Sequence, residues 1–232
     1  MEKTKLFAIT AIVIIIVAAI GTAYVLTSNM NNQEQTETTV TDTAGRTVNI
    51  PQQIDSVYCM GAASLSLISY FDAVEKVHAI ETAGTFNTLE DQTYYHINKE
   101  KFSSLPQVAT TAEAILDLNP SIIITSLEDA GAADNLQTQT NIPVFFINAN
   151  LEFGEAFYNQ ITELGKFLGE SERAEEINNG IAEMINDVTS KVTAQSPEKA
   201  YACGMFYYGG AAFLKGSGNY LPFEYSKVTN AI

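Results

Sequence analysis

Thiols are scarce in this chain: Cys59 and Cys203 are the only cysteines among 232 residues. They lie far apart, outside any Cys-x-x-Cys pair and away from both histidines, which excludes a disulfide framework and a zinc cluster. Two buried thiols are expected, with a single Cys59–Cys203 bridge as the alternative in an oxidising compartment. Histidine is equally rare. Neither His78 nor His96 has a carboxylate or thiol partner at a catalytic spacing. Phosphate loops, nucleophile elbows and dinucleotide fingerprints are all missing, and Gly61-Ala-Ala-Ser fits none of them. Positive charge is short as well. Twelve basic against 27 acidic residues leave a net charge of −15, a surface that repels nucleic-acid backbones and anionic lipid headgroups. No nucleic-acid partner is expected.

Charge is absent altogether from residues 6–27, a run of Ile, Val and Ala preceded by Lys3 and Lys5. It exceeds the about 20 residues needed to span a bilayer core, and the preceding lysines place the remainder of the chain outside the cytoplasm. Residues 1–27 therefore read as an uncleaved signal anchor, a single membrane-spanning helix, with a cleaved signal peptide as the alternative. Residues 28–39 have almost no apolar content and read as a flexible linker.

From Val40 the pattern is that of a folded α/β lobe, residues 40–168. A β-hairpin turning at Gly45 comes first. Strands are then expected at 56–60, 77–80, 121–125 and 144–147, alternating with helices at 64–71, 112–118, 130–140 and 155–168. That alternation predicts a parallel sheet with helices on both faces. Residues 82–109 form a long polar and aromatic excursion. Residues 171–194 read as one amphipathic helix, with Ser171 as its cap and an apolar stripe through Ala174, Ile177, Ile181, Met184, Ile185, Val188 and Val192. At about 1.5 Å per residue it is roughly 36 Å long. It is either an ordinary surface helix or a strut between two lobes. Residues 197–232 then open with a strand at 199–206, a glycine-rich loop and a helix start at Leu221-Pro-Phe-Glu-Tyr.

In a parallel α/β sheet, ligands bind outside the carboxyl ends of the strands. The candidate ligand contacts are therefore Met60, Gly61, Ala62, Ala63, Glu81, Ser126 and Leu127. Backbone N–H groups near Ala63 and Ser64 are available either to an anionic ligand or to capping by Ser64.

Taken in order, these segments resemble the helical-backbone (class III) substrate-binding proteins of ABC importers, which deliver iron–siderophore complexes, haem or cobalamin. The matching pieces are Val40-Thr-Asp-Thr-Ala-Gly-Arg, Ser56-Val-Tyr-Cys-Met-Gly-Ala-Ala-Ser, Ala112-Glu-Ala-Ile-Leu-Asp-Leu-Asn-Pro-Ser-Ile-Ile-Ile, Gln139-Thr-Asn-Ile-Pro-Val-Phe-Phe-Ile and Leu164-Gly-Lys-Phe-Leu-Gly. The resemblance implies two α/β lobes joined by the strut, with a metal chelate or corrinoid held between them. Tyr207 and Tyr208 are the contacts offered by the second lobe, together with Phe206 and Tyr220. The partner implied is a membrane permease, and Glu113 matches the glutamate that pairs with permease arginines. A local alternative for Glu113 is a capping box with Thr110. No enzyme activity, resident cofactor or metal is implied. Relative to that family the second lobe is expected to be incomplete, loosely attached and without its own docking glutamate. An extracytoplasmic enzyme, or a signalling or interaction module on the same scaffold, remains the competing reading.

Overall fold

The computed structural model describes residues 38–82, 92–126, 129–192, 198–202, 206–207, 210–211, 218 and 220–231. The expected signal anchor and most of the linker, Leu127, Tyr208 and Cys203 lie outside these. Among the described residues no helix is long and apolar enough to cross a membrane.

The hairpin forms as expected from its alternation of polar and β-branched residues. Strand β1 (Thr38–Thr41) pairs antiparallel with β2 (Thr47–Ile50), Val40 opposite Val48. The turn uses Gly45 at φ +76°, a conformation costly for any side chain. Its core is polar. Buried Asp42 accepts hydrogen bonds from the amides of Ala44 and Arg46 at 3.0 Å each, and from the amide of Phe146 at 3.2 Å. Arg46 lies against Asp42 (3.1 Å) and Asp134 (2.7 Å), and donates to Gln137 and to the Val144 carbonyl. This knot fastens the hairpin to the sheet.

The sheet has five parallel strands in the order β5-β4-β3-β6-β7: β3 (Val57–Met60), β4 (Val77–Glu81), β5 (Gln107–Val108), β6 (Ile122–Thr125) and β7 (Val144–Phe146). Strands β3 and β6 are buried at every position, because their side chains alternate between two covered faces. Val57, Cys59, Ile122, Ile124 and Phe145 face Leu65 and Ile68 of α1 (Ala62–Tyr70). Tyr58, Met60, Ile123 and Val144 face the opposite layer of small helices. Cys59 is a buried free thiol, so the alternative of a Cys59–Cys203 bridge is corrected.

The excursion expected at 82–109 contains elements that periodicity does not reveal. These are α2 (Thr93–Ile97), α3 (Lys99–Ser104) and the edge strand β5. Tyr94 and Tyr95 are held there by Phe102, with ring centroids 6.5 and 6.2 Å apart. Helices α4 (Ala112–Leu118), α5 (Ala130–Thr140) and α6 (Glu155–Leu168) fall where expected.

After Gly169 the chain turns into α7 (Ser171–Lys191). Ser171 is its first helical residue and not its cap: Glu170 occupies that place without a side-chain bond. Of the apolar stripe only Ala174 is buried, and Met184 is 55% exposed. Beyond it, the single strand expected at 199–206 is corrected. Instead β8 (Lys199–Ala200) is followed by a hairpin of β9 (Phe206–Tyr207) with β10 (Gly210–Ala211), by α8 (Leu221–Tyr225) and by β11 (Thr229–Asn230). Strand β11 pairs parallel with β8, Thr229 opposite Lys199, giving a strand–helix–strand unit. The Lys227 ammonium donates to the Val192 carbonyl at the end of α7, 2.8 Å away.

Candidate functional site

Strand order runs one way from β3 through β4 to β5 and the other way through β6 to β7. The topological switch lies between β3 and β6, where the loops leaving the two strands diverge and open a crevice. Met60 and Thr125 end these strands side by side. The Ser126 amide donates to the Met60 carbonyl at 2.9 Å and locks the two loop starts together.

Gly61 makes the turn into α1 at φ +88°, ψ 146°, which favours glycine. Capping of this helix by Ser64, one of the two expected roles, does not occur. The cap position falls at Gly61, three residues earlier. The buried Ser64 hydroxyl instead donates back to the carbonyls of Met60 (2.9 Å) and Gly61 (2.6 Å). Cys59 sits beneath it. Burial pushes that thiol up to about 12, against a smaller opposing effect of Ser64, so it is chemically inert under ordinary conditions.

Glu81 ends β4 beside this turn. Its carboxylate faces the Gly61 amide, so the start of α1 already meets an anion from within the protein. Burial raises the Glu81 pKa above its ordinary 4.5, and the amide only partly offsets this. Tyr58, below it, donates to the Val108 carbonyl at 2.9 Å, and burial followed by the Glu81 charge raises its pKa too.

The raised Glu81 pKa means the folded chain holds that proton more tightly than the unfolded one. Stability from this group is complete below about pH 4.5 and is lost as pH rises through the folded pKa. Glu81→Gln is expected to remove this slope from urea-derived stabilities measured between pH 4 and 8. A difference between wild type and variant that is flat in pH would contradict it.

A cavity of about 450 Å³ opens at the switch point, lined by Met60, Thr110, Thr111, Thr125, Asn135 and Gln139 among others. A smaller one, about 110 Å³, lies on the other side of the sheet edge between Ala63, Asn148, Ala149 and Gln160. Met60, Gly61, Ala62, Ala63, Glu81 and Ser126 thus share one edge. Tyr207 lies on β9. The strand-end rule finds the first group. It misses Asn135 and Gln139, one turn apart on α5, a helix whose sequence is too polar to show which face turns inward.

Glu113 is exposed on the first turn of α4. The cap is Thr111, whose hydroxyl accepts from the Ala114 amide at 3.4 Å. Glu113 is therefore the second helical residue rather than the third, out of register for the capping box with Thr110. That alternative is corrected.

Known proteins bear on this arrangement. A family model described as periplasmic binding protein matches residues 59–222. Among solved structures, a periplasmic solute binding protein from Veillonella parvula DSM 2008 superposes with a TM-score of 0.62 at 19% identity, over 84% of this chain and 60% of that one. The TroA-like periplasmic binding protein FepB from Veillonella parvula gives 0.58 at 21% identity, over 72% and 53%. The molybdate periplasmic binding protein MolA of Haemophilus influenzae gives 0.56 at 15%, over 84% and 65%. At these identities the likeness is one of fold, and the chain spans about half to two thirds of the length of those structures. No curated protein matches it significantly.

Proposed function

Since the chain belongs to the periplasmic binding protein family, we propose that it is the extracytoplasmic solute-binding component of an ABC importer, anchored to the membrane by residues 6–27. Its ligand is an iron chelate, haem or a cobalamin-like corrinoid, taken up at the carboxyl edge of the sheet. The observation that carries this reading is the 450 Å³ cavity at the switch point, the place where open α/β sheets bind ligands. Among the described residues, its lining offers hydroxyls, amides and apolar surface and no histidine, thiol or carboxylate. Such a surface holds a molecule without a nucleophile–base pair to transform it, which favours binding over the enzyme alternative. Tyr207 and Tyr208 would contribute from the segment after the strut, and Leu127 from the loop after β6.

Calorimetric titration of the full-length chain with ferric chelates, haemin and cyanocobalamin tests this directly. Saturable binding of one of them is expected, and silence across the whole panel would reject the reading. Docking on the permease is assigned to Glu113, exposed beside the cavity wall. Glu113→Lys should lower uptake at least tenfold while the ligand titration stays as in wild type. The stability cost is expected to be less than about 1 kcal/mol, the scale of a helix-dipole charge. Normal uptake by the variant would remove Glu113 from the interface.

A further inference from the structure

Of the residues that α6 buries, Gln160 alone has a polar side chain. It stands on the apolar face, beside Phe157, Ile161 and Leu164, and is only 3% exposed. Half of its amide has a task within the fold. Its Oε1 accepts from the backbone amide of Asn148, just past β7, at 2.8 Å. That N–H needs an acceptor, which fixes which way the amide points. The other half, Nε2, is left with two N–H donors and no partner among the described residues. An unmade hydrogen bond on a buried donor is costly, so such a group calls for an acceptor. Gln160 lines the 110 Å³ cavity together with Asn148, Ser66, Leu67, Leu151 and Phe157. Asn148 spends its Oδ1 on the Asn150 amide at 2.9 Å, which makes its Nδ2 a second donor unengaged among the described residues. Ser66 adds a hydroxyl from α1. Among the described residues no charged side chain lines this cavity or the larger one. A carboxylate brought here would lose its hydration with no cation to replace it, and an ammonium would meet no anion. A neutral carbonyl oxygen suits the site, since its two lone pairs match the donors and its carbon neighbours match Leu67, Leu151 and Phe157. At about 30 Å³ per water, the cavity has the volume of about four waters. That is room for an amide or hydroxamate arm and not for a whole chelate.

Resting on the importer reading, we propose that the smaller cavity is a carbonyl-binding subsite, in which Gln160 Nε2 and Asn148 Nδ2 donate to an uncharged amide or hydroxamate arm of the ligand. The ligand class is then a metal complex with a neutral, carbonyl-bearing rim, either a trihydroxamate or a corrinoid rimmed by carboxamides. Complexes that present carboxylates or carry the charge of three catecholates are the wrong substrates, because nothing lining either cavity neutralises them.

The test titrates the full-length chain, in detergent micelles, with four probes: an uncharged ferric trihydroxamate, cyanocobalamin, a trianionic ferric tris-catecholate and haemin. One of the two neutral complexes should bind at least tenfold more tightly than either anionic one, each tenfold being about 1.4 kcal/mol, and which of the two it is tells the sources apart. Gln160→Glu keeps the acceptor that Asn148 needs and replaces only the donors, so affinity for that neutral complex should fall about tenfold. Nitrogen–proton correlation spectra of the wild-type chain read the contact directly. The side-chain Nε2 signals of Gln160 should move when cyanocobalamin, or the diamagnetic gallium form of the trihydroxamate, is added. Stationary Gln160 signals, the result if the cavity holds water alone, would overturn the subsite. So would wild-type affinity in Gln160→Glu, or an anionic complex that binds as tightly as the neutral ones. Each of these leaves the importer reading standing, since a ligand is still bound. Absence of binding by all four probes would overturn both.

Discussion

Asp42→Ala should unfold the first lobe about 3–5 kcal/mol more easily than wild type, the scale for breaking a buried ion pair from one side. The Asp42 side chain is wholly buried and that of Arg46 is 11% exposed. Removing the carboxylate deprives three backbone amides of their acceptor at once: Ala44, Arg46 and Phe146. It also leaves Arg46 with only the exposed Asp134 as a counter-charge. The melting temperature should fall by roughly 10 °C for a domain of this size. A double variant with Arg46→Met checks the cause. The combined loss should be smaller than the sum of the single losses by about 0.5–3 kcal/mol, since both substitutions dismantle one network. Additive losses, or a cost for Asp42→Ala below about 1 kcal/mol, would show that the hairpin is held by Val40, Val48 and Ile50 alone.

Gly165→Ala is the other substitution of large effect. A Cβ at this position would lie 2.5 Å from the Cβ of Ala174 and 3.0 Å from the Glu170 carbonyl oxygen. The corner cannot spread easily, because the Glu170 amide already closes on the Gly165 carbonyl at 2.8 Å. Overpacking of this kind costs about 1–3 kcal/mol. Since Ala174 is the one buried residue of α7, the loss should appear there: faster amide exchange across residues 171–191, with β3 and β6 still protected. Ala174→Gly restores the room, so the double variant should recover part of the loss despite about 1 kcal/mol of helix propensity forfeited by the new glycine. Exchange in α7 that stays at the wild-type rate in Gly165→Ala would refute this account of the corner.

Elements that sequence could reveal were those whose reason for forming is local. Ile122-Ile123-Ile124 reads as a strand covered on both faces because nothing polar interrupts it. The i, i+3, i+4 spacing of Phe157, Ile161, Leu164 and Leu168 likewise reads as one face of α6. Thr93–Ile97 carries no such signal. Its turn of helix exists because Tyr94 and Tyr95 find Phe102, a contact made in space. Asp42 and Arg46 fall within the hairpin expected around Gly45, and their task becomes visible only when β7, 104 positions after Asp42, presents the Phe146 amide. At the crevice, strand ends were enough to find Met60, Glu81 and Ser126. Ser64 was misjudged because the cap position, three residues earlier, depends on the backbone of Gly61. The strand expected at 199–206 divides in two, since β8 is defined by a partner, β11, that comes after a helix.

The order of strands in the sheet also governs when it can form. Strand β3 is made first and lies at the centre, with neighbours on both sides that come later in the chain. Ser56, at its foot, waits 65 positions for Ser121, while β4 arrives much sooner. A growing chain that has not reached Ile122 therefore carries β3 with one whole edge unpaired, and the apolar residues intended for β6 and β7 do not yet exist. Closing such distant pairs is slow because the intervening chain must be ordered before any contact rewards it. Collapse of this lobe is consequently a late event, triggered by the Ile122-Ile123-Ile124 triplet rather than built up strand by strand. Until then the open edge of β3 is the place where a neighbouring chain could pair wrongly.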